Sequence, residues 1–200
     1  MIPIKEGLKD ALKEIINIGV GKAAGTLNDL LNKHIILEVP NVNFISLEEM
    51  DHAFSTIHTL TVSAVRLKFR GPICGLSSLV FPPESAAKLV DMLVGEVPIT
   101  DDLDAIKVGA LSEVGNIILN AVMASFGDLL DSRLIFSIPV YMEGKISSVF
   151  NEEVKCPTPV ISATAKFTVE EHQIYGEIIL LLEIGAFDVL STAVINKLEI

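Results

Sequence analysis

Cations are scarce in this sequence: 15 lysines and arginines stand against 26 aspartates and glutamates, a formal net charge of −11 over 200 residues. So few positive side chains cannot neutralise a run of phosphates or release its counterions, which excludes a nucleic-acid partner. Anionic membrane surfaces are disfavoured on the same ground. Cysteine is nearly absent as well. Cys74 and Cys156 lie far apart and form no C-x-x-C pair, so reduced thiols without a disulfide framework are expected. His34, His52, His58 and His172 show no ligand spacing, so no metal is expected on this chain. The apolar run Ile178–Leu182 is too short to span a bilayer. Met1 to Glu6 offers no basic segment followed by an apolar one, so no secretory signal is read. No Gly-x-Ser-x-Gly elbow is present. The glycines of Gly19 to Gly25 match neither a dinucleotide fingerprint nor a P-loop. Glu48-Glu49 and Asp101-Asp102 read as solvated charges. A soluble, cytoplasmic protein is the expectation.

Half the residues are apolar and 20% are charged, the balance of a globular chain large enough for one ordinary domain or two small halves. Self-similarity organises it. A shift of 99 residues lays Ala11-Leu12 on Ala110-Leu111, Glu14 on Glu113, Asn17-Ile18 on Asn116-Ile117, Asp29-Leu30-Leu31 on Asp128-Leu129-Leu130, and Pro40 on Pro139. A shift of 101 lays Gly75 on Gly176 and Glu84–Gly95 on Gly185–Asn196. Two repeats, 1–99 and 100–200, are therefore expected within a single domain.

Each repeat opens on a long helical pattern, Lys5–Leu31 and Asp102–Asp131. In the first, Leu8, Ala11, Leu12, Ile15, Ile16, Gly19, Ala23, Leu27 and Leu30 recur at helical spacing. Extended, β-branched segments follow: Ile35–Val39, Leu60–Phe69 and Ile73–Phe81, then Leu134–Tyr141, Pro159–Val169 and Ile174–Glu183, with Glu170 to Gln173 as a hairpin connection. A short amphipathic helix closes each copy, with Gly95 just past the end of the first. The fold class expected is α/β in the broad sense (α+β): a pseudo-twofold duplicated unit sharing a mixed or antiparallel sheet, flanked by the two long helices.

Asp10, Glu14 and Asn17 stand at i, i+4 and i+7, on one face of the first helix opposite its apolar stripe. Gly21, Ala24 and Asn28 continue that face. The second helix repeats it with Glu113, Asn116, Asn120 and Gly127, with Gly109 where Asp10 would be. Glycine costs about 1 kcal/mol against alanine in a helix interior, so Gly19, Gly21 and Gly25 call for a close approach by the core or by a partner. Asparagine is a mediocre helix former, and its recurrence mid-helix in both copies points beyond a solvated surface.

These residues resemble the signature of the CheC/CheX/FliY family of chemotaxis phosphatases: Asp10-x₃-Glu14-x₂-Asn17-x₂₂-Pro40 in full, and Gly109-x₃-Glu113-x₂-Asn116-x₂₂-Pro139 at all but its first position. The resemblance spans the whole chain. It implies hydrolysis of the aspartyl phosphate on the receiver domain CheY. Asn17 and Asn116 would place the attacking water, and Glu14 and Glu113 would pair with the receiver's active-site lysine. Asp10 would support that contact, and Pro40 and Pro139 would set a strand end near the helix. Most phosphoryl-transfer machinery, including Mg²⁺, would sit on the receiver, so this chain needs no cofactor of its own. CheD is the further partner the resemblance implies, and a monomer fits the internal duplication. The competing reading is a non-catalytic adaptor that binds a receiver domain or CheD through the same helices. Replacing Asn17 and Asn116 together by alanine should slow receiver dephosphorylation about 10²-fold or more, or about 2.7 kcal/mol of transition-state stabilisation, read from phosphate decay.

Overall fold

A computed structural model describes residues 6–45, 61–95, 103–146, 149, 160–169, 172–183 and 185–198. Cys156, His52, His58, Glu48-Glu49 and Asp101-Asp102 lie outside them. The elements run α1 (Glu6–Leu31), β1 (Ile35–Ile45), β2 (Val62–Arg70), β3 (Gly75–Phe81) and α2 (Pro83–Val94). They continue as α3 (Leu103–Leu129), β4 (Ile135–Phe136), β5 (Val140–Gly144), β6 (Val160–Val169), β7 (His172–Leu182) and α4 (Ala186–Leu198).

All seven strands join one antiparallel sheet in the order β1-β6-β7-β3-β2, with β4 and β5 side by side along the outer edge of β2. The order runs symmetrically about the central β7–β3 pair. β1 pairs with β6 at one edge, as β4 and β5 pair with β2 at the other.

Alternation along the strands divides the sheet into two faces. One face carries Ile35, Leu37 and Val39 from β1, Val65, Leu67 and Phe69 from β2, and Ile178, Leu180 and Leu182 from β7. Side chains of all four helices share this core, among them Leu12, Ile16, Leu89, Val114, Ile118, Val122, Phe126, Leu190 and Val194. The two long helices thus flank the antiparallel sheet as expected, and both do so on the same face. Helices α1 to α4 lie together on one face, the α+β solution for an antiparallel sheet. The opposite face holds a smaller cluster of Val62, Ala64, Leu76, Val80, Ile146, Val149, Val160, Ile179 and Leu181. Leu180, Leu181 and Leu182 are all buried, so that short run is covered on both sides as expected.

The two long helices pack against each other as well as on the sheet. At Gly19 a Cβ would stand 2.5 Å from Cα of Val122 and 3.0 Å from the Ala121 carbonyl oxygen, so only glycine allows this approach of backbones. Gly21 and Gly25 are different, since a Cβ at either meets nothing within 4 Å. The apolar stripe of α1 is buried from Leu8 to Leu27 with Ile15 partly so, but Leu30 is 58% exposed while its neighbour Leu31 packs against the core. Ala24, placed on the outer face by spacing, is buried. Asn28 accepts a hydrogen bond from the Ile35 N–H at 2.7 Å and tethers the turn into β1.

Helix α3 is long and apolar enough over Asp104–Leu129 to cross a membrane by composition alone. Here Leu111, Val114, Ile118, Leu119, Val122, Met123 and Phe126 spend that apolarity on the core. The segment expected as one strand over Leu134–Tyr141 is instead broken into β4 and β5, with Pro139 in the break. Pro40, by contrast, lies inside β1 rather than at its end. His172 and Gln173 belong to β7, so the expected hairpin connection is shorter.

Two outcomes follow for stability. Gly19→Ala should cost about 1–3 kcal/mol through forced separation of α1 and α3. Gly21→Ala should gain up to about 1 kcal/mol; urea midpoints at constant m-value distinguish the two. On the face away from the helices, burial pushes the Glu177 carboxyl above its ordinary 4.5, although Thr164 and Ser162 hydroxyls donate to it, Ser162 at 3.1 Å. A carboxyl with a raised folded pKa holds its proton better when folded. Its stabilisation is therefore complete below 4.5 and lost as pH rises through the raised value. Glu177→Gln should flatten that part of the stability–pH curve and be more stable than the parent at pH 7, as read by thermal unfolding.

Candidate functional site

Asp10, Glu14 and Asn17 do share one side of α1, with Asp10 and Glu14 exposed and Asn17 half-buried at the margin. Glu113 and Asn116 repeat this on α3, again exposed and half-buried respectively. Neither glutamate has a hydrogen-bond or ion-pair partner among the described residues. Each is a free carboxylate, open to a cation from outside, with a carboxamide one turn further along. Gly109 is exposed over open space, so the second helix has nothing in place of Asp10.

The two pairs sit over opposite parts of the sheet. Asn17 reaches Val39 of the edge strand β1, while Gly115, next to Asn116, rests on the Val65 side chain of β2, where a Cβ would be 2.5 Å from Val65 Cβ. Four strand spacings separate β1 from β2, or about 19 Å at ~4.8 Å each. The structure thus presents two separate Glu–Asn pairs rather than one composite site.

The carboxamides are held differently. Asn17 Oδ1 accepts from the Val39 N–H at 2.8 Å, and Nδ2 donates to the Val39 carbonyl at 3.0 Å and to the Lys13 carbonyl at 3.1 Å. Its side chain stands in for a missing strand neighbour. In the β1–β6 ladder Glu38 faces Lys166 and Asn41 faces Thr164, so Val39 and Pro40 together oppose Ala165 alone. This is a β-bulge at a proline that has no N–H to donate. The Asn-x₂₂-Pro spacing acquires a mechanical meaning, because the asparagine closes the backbone groups of the residue just before the proline. Both Nδ2 hydrogens are committed, leaving one Oδ1 lone pair.

Asn116 has no such clamp. The residue corresponding to Val39 is Ile138, which is 85% exposed between β4 and β5. Asn116 Oδ1 instead accepts from Asn120 Nδ2 at 2.6 Å, and its own Nδ2 makes no hydrogen bond among the described residues. Sequence reasoning placed Asn120 on this face without a role and did not anticipate the Val39 clamp. The Asn–Pro spacing was the available signal.

A second polar cluster ties β5 to the start of α3. Glu143 accepts from Lys107 Nζ, Tyr141 Oη and Ser63 Oγ, the last at 3.3 Å. The Lys107 ammonium and then the Tyr141 hydroxyl hold the Glu143 carboxyl below its ordinary value, and the Glu143 hydrogen bond raises Lys107. Lys107 lies nine residues before Asn116, about half a turn around the helix, so this cluster is apart from the Glu–Asn pair. No group of three or more His, Cys, Asp or Glu side chains is arranged to hold a metal among the described residues.

The unequal anchoring predicts unequal stability. Asn17→Ala orphans both Val39 main-chain groups and should cost about 2–3 kcal/mol, whereas Asn116→Ala should cost about 1 kcal/mol or less in the same urea titration.

Comparison with known proteins adds the following. The profile of the CheC-like family matches residues 9–44, the stretch from α1 through the β1 bulge. Over 152 residues the chain is 30% identical to the CheY-P phosphatase CheC of Bacillus subtilis, an alignment covering 74% of this chain and 72% of that protein. The crystal structure of Thermotoga maritima FliY superposes with a TM-score of 0.80 at 22% identity, covering 98% of this chain and all of that one. A chain of the CheX-CheY-BeF3-Mg²⁺ complex of Borrelia burgdorferi superposes at 0.52 with 18% identity, over 86% of this chain and 99% of that chain.

Proposed function

The chain belongs to the CheC-like family, and from that premise we propose that it hydrolyses the aspartyl phosphate of a CheY-type receiver domain. The observation that carries this reading is the pair of exposed carboxylates without a partner among the described residues, each followed one turn later by a half-buried carboxamide. The 30% identity to a CheY-P phosphatase supports the substrate class, and the CheY seen with CheX supports a receiver as the docking partner.

In this reading Glu113 meets the receiver's active-site lysine and fixes α3 over the acyl phosphate. Asn116 then holds a water in line with the breaking P–O bond, so the gain is positioning rather than proton abstraction. An amide suits that task because it donates and accepts without titrating. Glu14 and Asn17 perform the same task on α1, Asn17 through its one remaining acceptor lone pair, with Asp10 in support. Since only Asn116 keeps free donors, the α3 site carries the larger share of turnover. The open surface at Gly21 and Gly25 lets a docking domain approach α1 closely. Mg²⁺ comes with the receiver and the chain itself supplies no cofactor. CheD is a further partner in this proposal, and the protein works as a cytoplasmic monomer. The two-repeat organisation, 1–99 and 100–200, belongs to the same proposal and is supported by the symmetric strand order.

The competing adaptor reading predicts contact without turnover. Phosphorylated receiver should therefore be mixed with about one-tenth its amount of this protein and its phosphate decay followed. Complete, accelerated decay is expected, and Glu113→Lys combined with Glu14→Lys should return it to the receiver's own rate. Decay at the receiver's own rate, with the receiver bound to this protein, supports the adaptor instead.

A further inference from the structure

Asn120 is one helical turn beyond Asn116 on α3, and the corresponding position on α1 is Gly21, which faces open space. Its Nδ2 donates to Asn116 Oδ1 at 2.6 Å. Its own Oδ1 is buried and has no hydrogen-bond partner among the described residues. A buried acceptor left unpaired is a cost to folding, and leucine or alanine at this helix position would avoid it. Stability therefore does not account for an asparagine here.

We infer that Asn120 is a positioning residue that sets which end of the Asn116 carboxamide faces outward. An amide beside solvent can present either its oxygen or its nitrogen, since the two orientations have nearly the same shape. At Asn17 the Val39 main chain decides the question, because an N–H and a C=O in fixed places accept only one orientation. At Asn116 that clamp is missing, and Ile138 stands out in solvent where it would be. The Asn120 donor takes over the selection. It fixes Asn116 Oδ1 inward, keeps one oxygen lone pair and leaves both Nδ2 hydrogens free. The ligand such an arrangement suits is an oxygen-rich anion with an adjacent water. Nδ2 donates to a phosphoryl oxygen or to the water, and the remaining lone pair accepts from the water. The two sites thus reach a locked carboxamide by two unrelated devices.

The inference rests on the phosphatase reading, and the test separates the two. Site one is first disabled with Glu14→Lys, so that turnover reports α3 alone. In that background Asn116→Ala, Asn120→Asp and Asn120→Leu are compared for kcat and KM on phosphorylated receiver, with urea midpoints for each. Aspartate can only accept, so it turns Asn116 around and directs its oxygen outward. Asn120→Asp should lower kcat about tenfold or more with KM within about twofold, close to the Asn116→Ala value. Asn120→Leu removes the selection without imposing the wrong orientation, so its loss should be smaller, about threefold, with an unchanged or higher urea midpoint. If Asn120→Asp does not fold, the leucine variant carries the test. Parent kcat in either folded Asn120 variant, with Asn116→Ala impaired, overturns the positioning role alone. Parent kcat in Asn116→Ala overturns the phosphatase assignment at this site itself.

Discussion

The contact on which the architecture depends is the backbone approach of α1 to α3 at Gly19. Two helices of 26 and 27 residues share one face of a seven-stranded sheet only if they lie close together. The missing side chain at Gly19, set against Val122 and the Ala121 carbonyl, makes this possible. From that contact each helix diverges to its own part of the sheet, α1 onto β1 and α3 onto β2 and β5. The sides turned away from the core carry Glu14 and Glu113. A side chain at Gly19 would push the helices apart and tilt both carboxylates relative to the sheet.

The two Glu–Asn pairs match in sequence and differ in mechanics. On α1 the asparagine is a structural member of the sheet, satisfying two main-chain groups at a bulge as well as facing the surface. On α3 the asparagine is bound only to another side chain. Removing Asn17 therefore strips two main-chain groups of their partner, whereas removing Asn116 strips only one side chain.

Much of the fold was legible because helical periodicity and alternating β-branched segments are local signals. The 99-residue shift also gave the helix, strand and helix order of both halves. The side of the sheet taken by the helices was not legible, since a stripe shows that a helix buries a face without showing where. The break between β4 and β5 was hidden by the apolar content of Leu134 to Tyr141, which reads as one strand. Leu30 fitted the α1 stripe by spacing, but at the end of the helix it is Leu31 that packs against the core. Glu14, Asn17, Glu113 and Asn116 could be placed on two helix faces from spacing, and the structure keeps them there. The Val39 clamp could not, because main-chain partners leave no residue type to recognise. Its trace was the proline after it, read as a strand end when it marks a bulge within a continuous strand.

Both outermost strands of the sheet are disturbed at a proline, β1 by its bulge at Val39 and Pro40, and the β4–β5 edge by the gap that contains Pro139. An uninterrupted outer strand is a template onto which another polypeptide can zip, and a long flat border invites fibrils. Here the template is spoiled on both sides. The features that frame the Glu–Asn pairs thereby also guard a wide sheet against self-association at its borders.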